Sequence, residues 1–316
     1  MTRYLAVRLY SMALTLLGLT VLTFLMLHLI PGTVVEQMIG TDAVASPQMV
    51  AQLKRFFGLD QPWPVQYGRW VGRLVRGDLG LSWRTGKPVS TLILERLPVT
   101  VELTGLAVTF AIVVGVAAGI LSALRQDRAA DQAARLGALV GLSVPVFWQG
   151  TMLILFFSLY LRWMPPVVWV DFWADPRRNL TIMLLPAVCL GTASSANIAR
   201  TTRSSMLDVL RSDYVRTAMA KGLVGRVIVL KHALQNALIP IVTVIGLQVG
   251  YLLGGSVVVE EVFTLPGVGR LVLWSIYQRD YPVTQSTILF VAVLFMTVNL
   301  TVDLLYGYLE PRIRHG

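Results

Sequence analysis

The sequence predicts an all-α membrane protein with six transmembrane helices, and three observations carry that prediction. Charged residues are 14% of the 316-residue chain and hydrophobic residues 55%, against about 25% charged in a soluble domain. Mean hydropathy is +0.66, which excludes an ordinary soluble globular fold. Six apolar runs, 9–30, 103–124, 136–161, 180–198, 237–259 and 283–305, are each long enough to cross a bilayer as helices, for which about 20 residues suffice.

The first run exceeds the roughly 7–15 apolar residues of a signal peptide core, and no small-residue cleavage site follows it, so it reads as a span. Basic residues then set the orientation. With the N-terminus in the cytosol, the short inner segments hold Arg3, Arg8, Arg125, Arg128, Arg135, Arg200, Arg203, Arg211, Arg216, Lys221, Arg226, Lys231, Arg312 and Arg314. The short outer segments hold only Arg162, Arg177, Arg178, Arg270 and Arg279. The outer loop 31–97 is past the length at which the charge bias applies. Both termini are therefore expected in the cytosol. The net charge of +10 then marks the cytosolic face and favours membrane lipid as its partner. Nucleic acid is not expected, because no aromatic–basic stacking stretch accompanies the charge.

The expected organisation is an N-terminal segment with the first span (1–30), an extracytoplasmic cap loop (31–97), a five-helix transmembrane core (98–310) and a cytosolic tail (311–316). In the cap, Ser46-Pro47 starts a helix whose Met49, Val50, Leu53, Phe56 and Phe57 share one face, and Gly58 stops it. Residues 62–75 repeat the pattern with Trp70, Val71, Leu74 and Val75. Such helices suit a cap on the outer bilayer surface, and packing is favoured over ligand binding. The 200–232 loop is polar and basic. Residues 213–221 form a short helix with Asp213 at its N-cap and Gly222 as its stop, and Tyr214, Ala218 and Leu223 offer a protruding face. A second helical stretch, 224–234, leads toward Pro240. A projecting helix–break–helix and an ordinary loop of snorkelling cations fit this pattern equally. In the outer loop 260–281, Pro266, Gly267 and Gly269 make a turn, 271–277 an interfacial helix, and Asp280-Tyr281-Pro282 a re-entry point. A re-entrant segment and a plain surface loop both remain open.

Inside the spans, Gly246, Gly250 and Gly254 recur at i, i+4 and i+8, the spacing of close helix approach. Gly115/Gly119 and Gly137/Gly141 repeat it. Packing is the first reading of these glycines and a substrate path the second. Pro145 and Pro186 are expected to kink their spans. Glu102 and Asp303 read as interfacial anchors, and Asn197, Gln248 and Asn299 as interhelical glue. No midplane ionisable pair of the kind ion-coupled transporters use is visible. The lone Cys189 and the scattered His28, His232 and His315 offer neither a disulfide nor metal-ligand spacing. Gly80 followed by Gly86-Lys87-Pro88 has the wrong spacing for a phosphate loop and lacks its Ser/Thr. The chain therefore shows no catalytic, metal or cofactor residues of its own.

Several ordered motifs together give the chain a family resemblance. They are His28-Leu29-Ile30-Pro31-Gly32, Gly58-Leu59-Asp60-Gln61-Pro62, Gly77-Asp78-Leu79-Gly80 with Ser82, Leu97-Pro98 with Thr100 and Glu102, Asp213-Tyr214-Val215-Arg216-Thr217-Ala218 with Lys221-Gly222-Leu223, and Asn236-Ala237-Leu238-Ile239-Pro240. Gly254-Gly255-Ser256, Glu260, Phe263, Pro266-Gly267-Val268-Gly269-Arg270 and Arg279-Asp280-Tyr281-Pro282 follow, then Asn299 and Val302-Asp303-Leu304. In this order and spacing the chain resembles the B-type permease subunit of bacterial ABC importers of the dipeptide/oligopeptide/nickel group.

That resemblance implies a type I importer permease fold in the bacterial inner membrane. It implies an "EAA" loop at Asp213, Tyr214, Arg216, Thr217, Ala218, Lys221, Gly222 and Leu223 that couples to a cytosolic ATPase. Arg216-Thr217-Ala218 stands where Glu-Ala-Ala is usual, and Met219 replaces a frequent Arg. Glu260, Phe263, Pro266, Gly267, Gly269, Arg270, Asp280 and Tyr281 are placed at a binding-protein docking surface or outer gate. Implied partners are a homologous C-type permease, two ABC ATPases carrying ATP and Mg, and an extracytoplasmic binding protein. The implied cargo is small peptides, with nickel chelate, glutathione-like, opine or oligosaccharide solutes as alternatives. An ion-coupled secondary transporter or channel is the rival from another class.

Overall fold

The computed structural model describes residues 2–39, 46–164, 166 and 168–309; the expected tail at 311–316 lies outside them. In chain order the helices are α1 (Thr2–Leu29), α2 (Val34–Ile39), α3 (Pro47–Phe56), α4 (Trp63–Val75), α5 (Val89–Leu124), α6 (Ala129–Ser143), α7 (Val146–Leu159), α8 (Pro176–Leu210), α9 (Asp213–Ala220) and α10 (Gly225–Val227). A π-helical segment (Ile228–Ala233) follows, then α11 (Leu234–Val262), α12 (Val268–Tyr277) and α13 (Tyr281–Leu309). Among the described residues the β-structure is one isolated bridge, Leu81 to Pro88.

Five of these elements contain helices long and apolar enough to cross a membrane: α1, α5, α8, the π segment continued by α11, and α13. The expected third span is bent where Pro145 was expected to kink it. It is two helices, α6 and α7, that meet at an angle of 108°. Pro145 takes the N-cap of α7 and Val144 before it is extended at φ −83°, ψ 123°, the conformation a following proline imposes. Pro186, by contrast, lies within the continuous α8. α8 also runs on past the expected end at 198 to Leu210, so much of the expected 200–232 loop is helix. At 1.5 Å per residue, its 35 residues span about 52 Å, well beyond a hydrocarbon core of about 30 Å.

The chain divides into two compact units, residues 1–99 with 266–296, and residues 100–265 with 297–316. In the first, Phe24 of α1, Trp70 of α4 and Leu289 of α13 form one buried cluster, and Val89, Leu92, Ile93, Leu271 and Val283 form another. The predicted cap helices are present. Ser46 Oγ accepts the Met49 amide at 3.3 Å and Gly58 leaves the helix at φ +70°. α3, however, buries none of its residues against this chain. Asp280 is fully buried and pins residues 82–85 to the α12–α13 corner. It accepts the Ser82 hydroxyl at 2.5 Å and the Trp83 and Arg84 amides at 3.1 and 3.3 Å.

In the second unit, α8 is the central element. It meets α5 with almost no space between backbones. A Cβ on Gly115 would lie 2.7 Å from the Ser195 carbonyl, and one on Gly119 would lie 2.5 Å from Thr202 Cβ. One on Gly191 would lie 2.7 Å from the Ala107 carbonyl. The sequence reading did not single out Gly191, although Ala187 and Ser195 flank it at small-residue spacing. Gly246 packs against Val302 of α13, with no room for a side chain. Gly254, expected on the same packing face, is corrected: it is exposed and meets nothing within 4 Å. At about 100° per residue, a position eight further on has turned some 80° off that face. Gln248 accepts the Ser194 hydroxyl at 2.8 Å, as interhelical glue.

A buried ion pair the sequence reading missed ties α5, α6 and α8 together. Arg203 donates Nε and one terminal nitrogen to the two oxygens of Asp131, both at 2.8 Å. Ser122 Oγ and the Asp127 amide complete the carboxylate's shell at 2.5 and 2.9 Å. Asp131→Ala strands the guanidinium and two further donors. It is expected to destabilise the protein by about 2–3 kcal/mol, read as earlier loss of the monodisperse peak on heating in detergent; an unchanged profile would show the pair to be dispensable.

Candidate functional site

The short helix α9 is where the chain builds a surface rather than a core. Ser212 has the extended backbone of an N-cap, with its hydroxyl turned back to the Val209 carbonyl at 2.6 Å. Asp213 is therefore the first helical residue and not the cap expected. Its carboxylate instead meets Arg216 one turn on, at 3.6 Å and in solvent, where such a pair is worth little. At the other end Gly222 sits at φ +77°. Its amide donates to the Met219 carbonyl at 3.0 Å, and the Leu223 amide donates to the Ala218 carbonyl at 3.4 Å. This is a Schellman stop, which needs a left-handed residue and so favours glycine there.

α9 has two distinct faces. Val215, 0% exposed, and Ala218, 8%, pack with Ile228 against Val209 and Leu210. Ala218 is thus corrected: it belongs to the inner face, not the protruding one. The outer face carries Tyr214, Met219 and Leu223, at 45%, 53% and 42% exposure. Asp213, Arg216, Thr217, Lys221 and Gly222 are exposed around them.

A polar clasp at Tyr214 also ties α9 to the following helix. Tyr214 OH donates to the His232 carbonyl at 3.3 Å and accepts Asn236 Nδ2 at 2.9 Å. Asn236 Nδ2 also donates to His232 O, at 2.8 Å. His232 lies in the π-helical segment, where the i→i+5 ladder displaces the usual backbone pairing. The sequence motif 236–240 held Asn236, but only the fold shows Tyr214 reaching it. Beneath the clasp, Ala123, Met206, Ala233, Ala237 and Ile241 form one buried cluster. α9 is therefore attached to the end of α8 and to the start of α11.

The outer residues fall differently from expectation. In the second unit, Glu260 is buried and accepts the Thr100 hydroxyl at 2.7 Å, and Phe263 is half-buried beside Gly150. In the first unit, Gly267 caps α12 and Gly269 is buried within it. Asp280 is the internal staple described above. Tyr281 is buried between Trp83 and His28, with ring centroids 5.2 and 5.5 Å away. Buried groups cannot meet a docking protein, so the docking expectation is corrected for Glu260, Gly267, Gly269, Asp280 and Tyr281. Phe263, Pro266 and Arg270 are half-buried and remain partly accessible.

Long apolar helices, one of them broken, with a capped helix on a polar connection define the class: a multi-pass helical membrane protein. Solved structures agree on the fold. Inward-facing conformations of the MetNI methionine ABC transporter match with a TM-score of 0.57 at 17% identity, covering 69% of this chain and 96% of that one. An amino acid ABC transporter matches with a TM-score of 0.52 at 18% identity, covering 71% and 94%.

Residues 115–315 match the family described as "Binding-protein-dependent transport system inner membrane component". Residues 1–104 match its N-terminal companion, "Binding-prot-dependent transport system membrane comp, N-term". The "Dipeptide transport system permease protein DppB" of Alkalihalophilus pseudofirmus is 44% identical over the whole of both chains. The protein of the same name in Escherichia coli K12 is 42% identical over 95% of each. The "Glutathione transport system permease protein GsiC" of an Escherichia coli O6:H1 strain is 42% identical over the whole of both. The chain belongs to the family of binding-protein-dependent transport system inner membrane components. It is a permease subunit of an ABC importer, set in the inner membrane by multiple spans.

Proposed function

We propose that this chain, paired with a homologous C-type permease, forms the pathway by which an ATP-driven importer takes up di- and oligopeptides, and that α9 is its coupling helix. Both termini are cytosolic, on the charge bias of the short connections. Two partner ATPases carry ATP and Mg, and an extracytoplasmic binding protein delivers cargo. The observation that carries the coupling role is the two-faced α9: its inner face packs on α8 and the π segment, Tyr214 ties it to Asn236 of α11, and Met219 and Leu223 stand exposed on the outer face. Seated in an ATPase groove through Tyr214, Met219 and Leu223, α9 transmits closure of the ATPases as a rigid-body movement of those long helices. ATP supplies the differential free energy between inward and outward states.

The names of the relatives support peptide cargo. A glutathione-like peptide is the second reading, supported by a full-length relative at 42% identity. The test is reconstitution of the chain with sister permease, ATPases and binding protein in liposomes. Labelled dipeptide uptake is expected only with ATP and the ATPases; ATP-independent uptake by this chain alone would overturn the proposal.

A further inference from the structure

The permease reading leaves unused a groove of about 800 Å³ between α5, α6 and α8. Its walls divide by chemistry. Leu136, Leu139 and Leu142 of α6 form an apolar side, with Leu136 and Leu139 more than half exposed. Arg135, Arg200 and Arg203 line it as well. Arg203 is already neutralised, because Asp131 takes its guanidinium in a two-point pair. Arg135 and Arg200 are exposed, and neither has a carboxylate partner among the described residues. Arg200 makes one long contact, to Asn197 Oδ1 at 3.5 Å.

We infer that this groove binds an anionic phospholipid, its phosphodiester held by Arg135 and Arg200 and an acyl chain lying along Leu136, Leu139 and Leu142. Two uncompensated guanidiniums beside a leucine-lined trough match the two halves of such a molecule. Arg donates paired N–H groups to phosphate oxygens, and basic pockets between transmembrane helices take anionic headgroups. A zwitterionic lipid brings its own cation and loses that complementarity. The inference needs the chain in a bilayer and is independent of the coupling role of α9.

The experiment is native mass spectrometry of the assembled importer, released from nanodiscs of equal parts phosphatidylcholine and phosphatidylglycerol. Wild type is expected to retain phosphatidylglycerol selectively, and R135Q/R200Q to retain at least fivefold less with the complex still assembled. Both positions are exposed, so the variant leaves the fold's internal contacts in place. Equal retention by the variant, or no preference for the anionic lipid, would overturn the inference. So would efficient cross-linking of Leu139→Cys to the sister permease, which would show protein in the groove.

Discussion

Gly119→Leu should separate α5 from α8 and leave little folded protein. The added Cβ alone would lie 2.5 Å from Thr202 Cβ and 2.7 Å from the Ala199 carbonyl oxygen. The second of these is backbone and cannot rotate aside. Overpacking a core typically costs about 1–3 kcal/mol; pushing two helix backbones apart puts this variant at about 3 kcal/mol or more. The same movement pulls Arg203 of α8 away from Ser122 of α5, so the buried Asp131 network fails with it. The measurement is size-exclusion of heated, detergent-solubilised protein. Gly137→Leu is the control: it has the same residue types and small-residue spacing but meets nothing within 4 Å, and it should behave as wild type. Equal melting of Gly119→Leu and wild type would show that the two helices are not apposed there.

Gly222→Pro should uncouple transport from ATP hydrolysis while the protein still inserts and assembles. Proline holds φ near −65°, whereas this position needs +77°. It also removes the amide that donates to the Met219 carbonyl. The Schellman stop is lost, α9 frays from its C-terminal end, and Met219 and Leu223 lose their fixed place on the outer face. The core cluster around Met206 and Ile241 lies on other helices and should be untouched. Uptake by the reconstituted importer is expected to fall at least tenfold, with ATPase activity no longer responding to loaded binding protein. Arg216→Ala removes only a solvent-exposed pair and should lower uptake less than twofold, since such pairs contribute about 0–1 kcal/mol. Normal coupled uptake by Gly222→Pro would remove α9 from the mechanism.

Much of this architecture was legible in the sequence because it rests on local chemistry. An apolar run of span length is unfavourable in water wherever it sits, so the long helices could be found from composition alone. Ser46-Pro47, Gly58 and Gly222 mark helix ends through their own backbone preferences. Charge was less decisive: the cations of the 200–232 stretch fitted a lipid-facing loop as well as a docking helix. Ala218 looked like a contact residue because small apolar side chains suit either face; only the packing of Val209, Leu210 and Ile228 assigned it inward.

By itself, then, the sequence determined that this is a multi-span membrane protein with a short capped helix in a basic connection, because hydrophobic transfer and helix capping act over a few neighbouring residues. The tertiary structure alone decided which glycines touch another helix, how Pro186 stays within a continuous α8, and the Asp131–Arg203 pair across 72 positions of chain. Those are set by which surfaces meet once the helices are packed, and no local pattern encodes that.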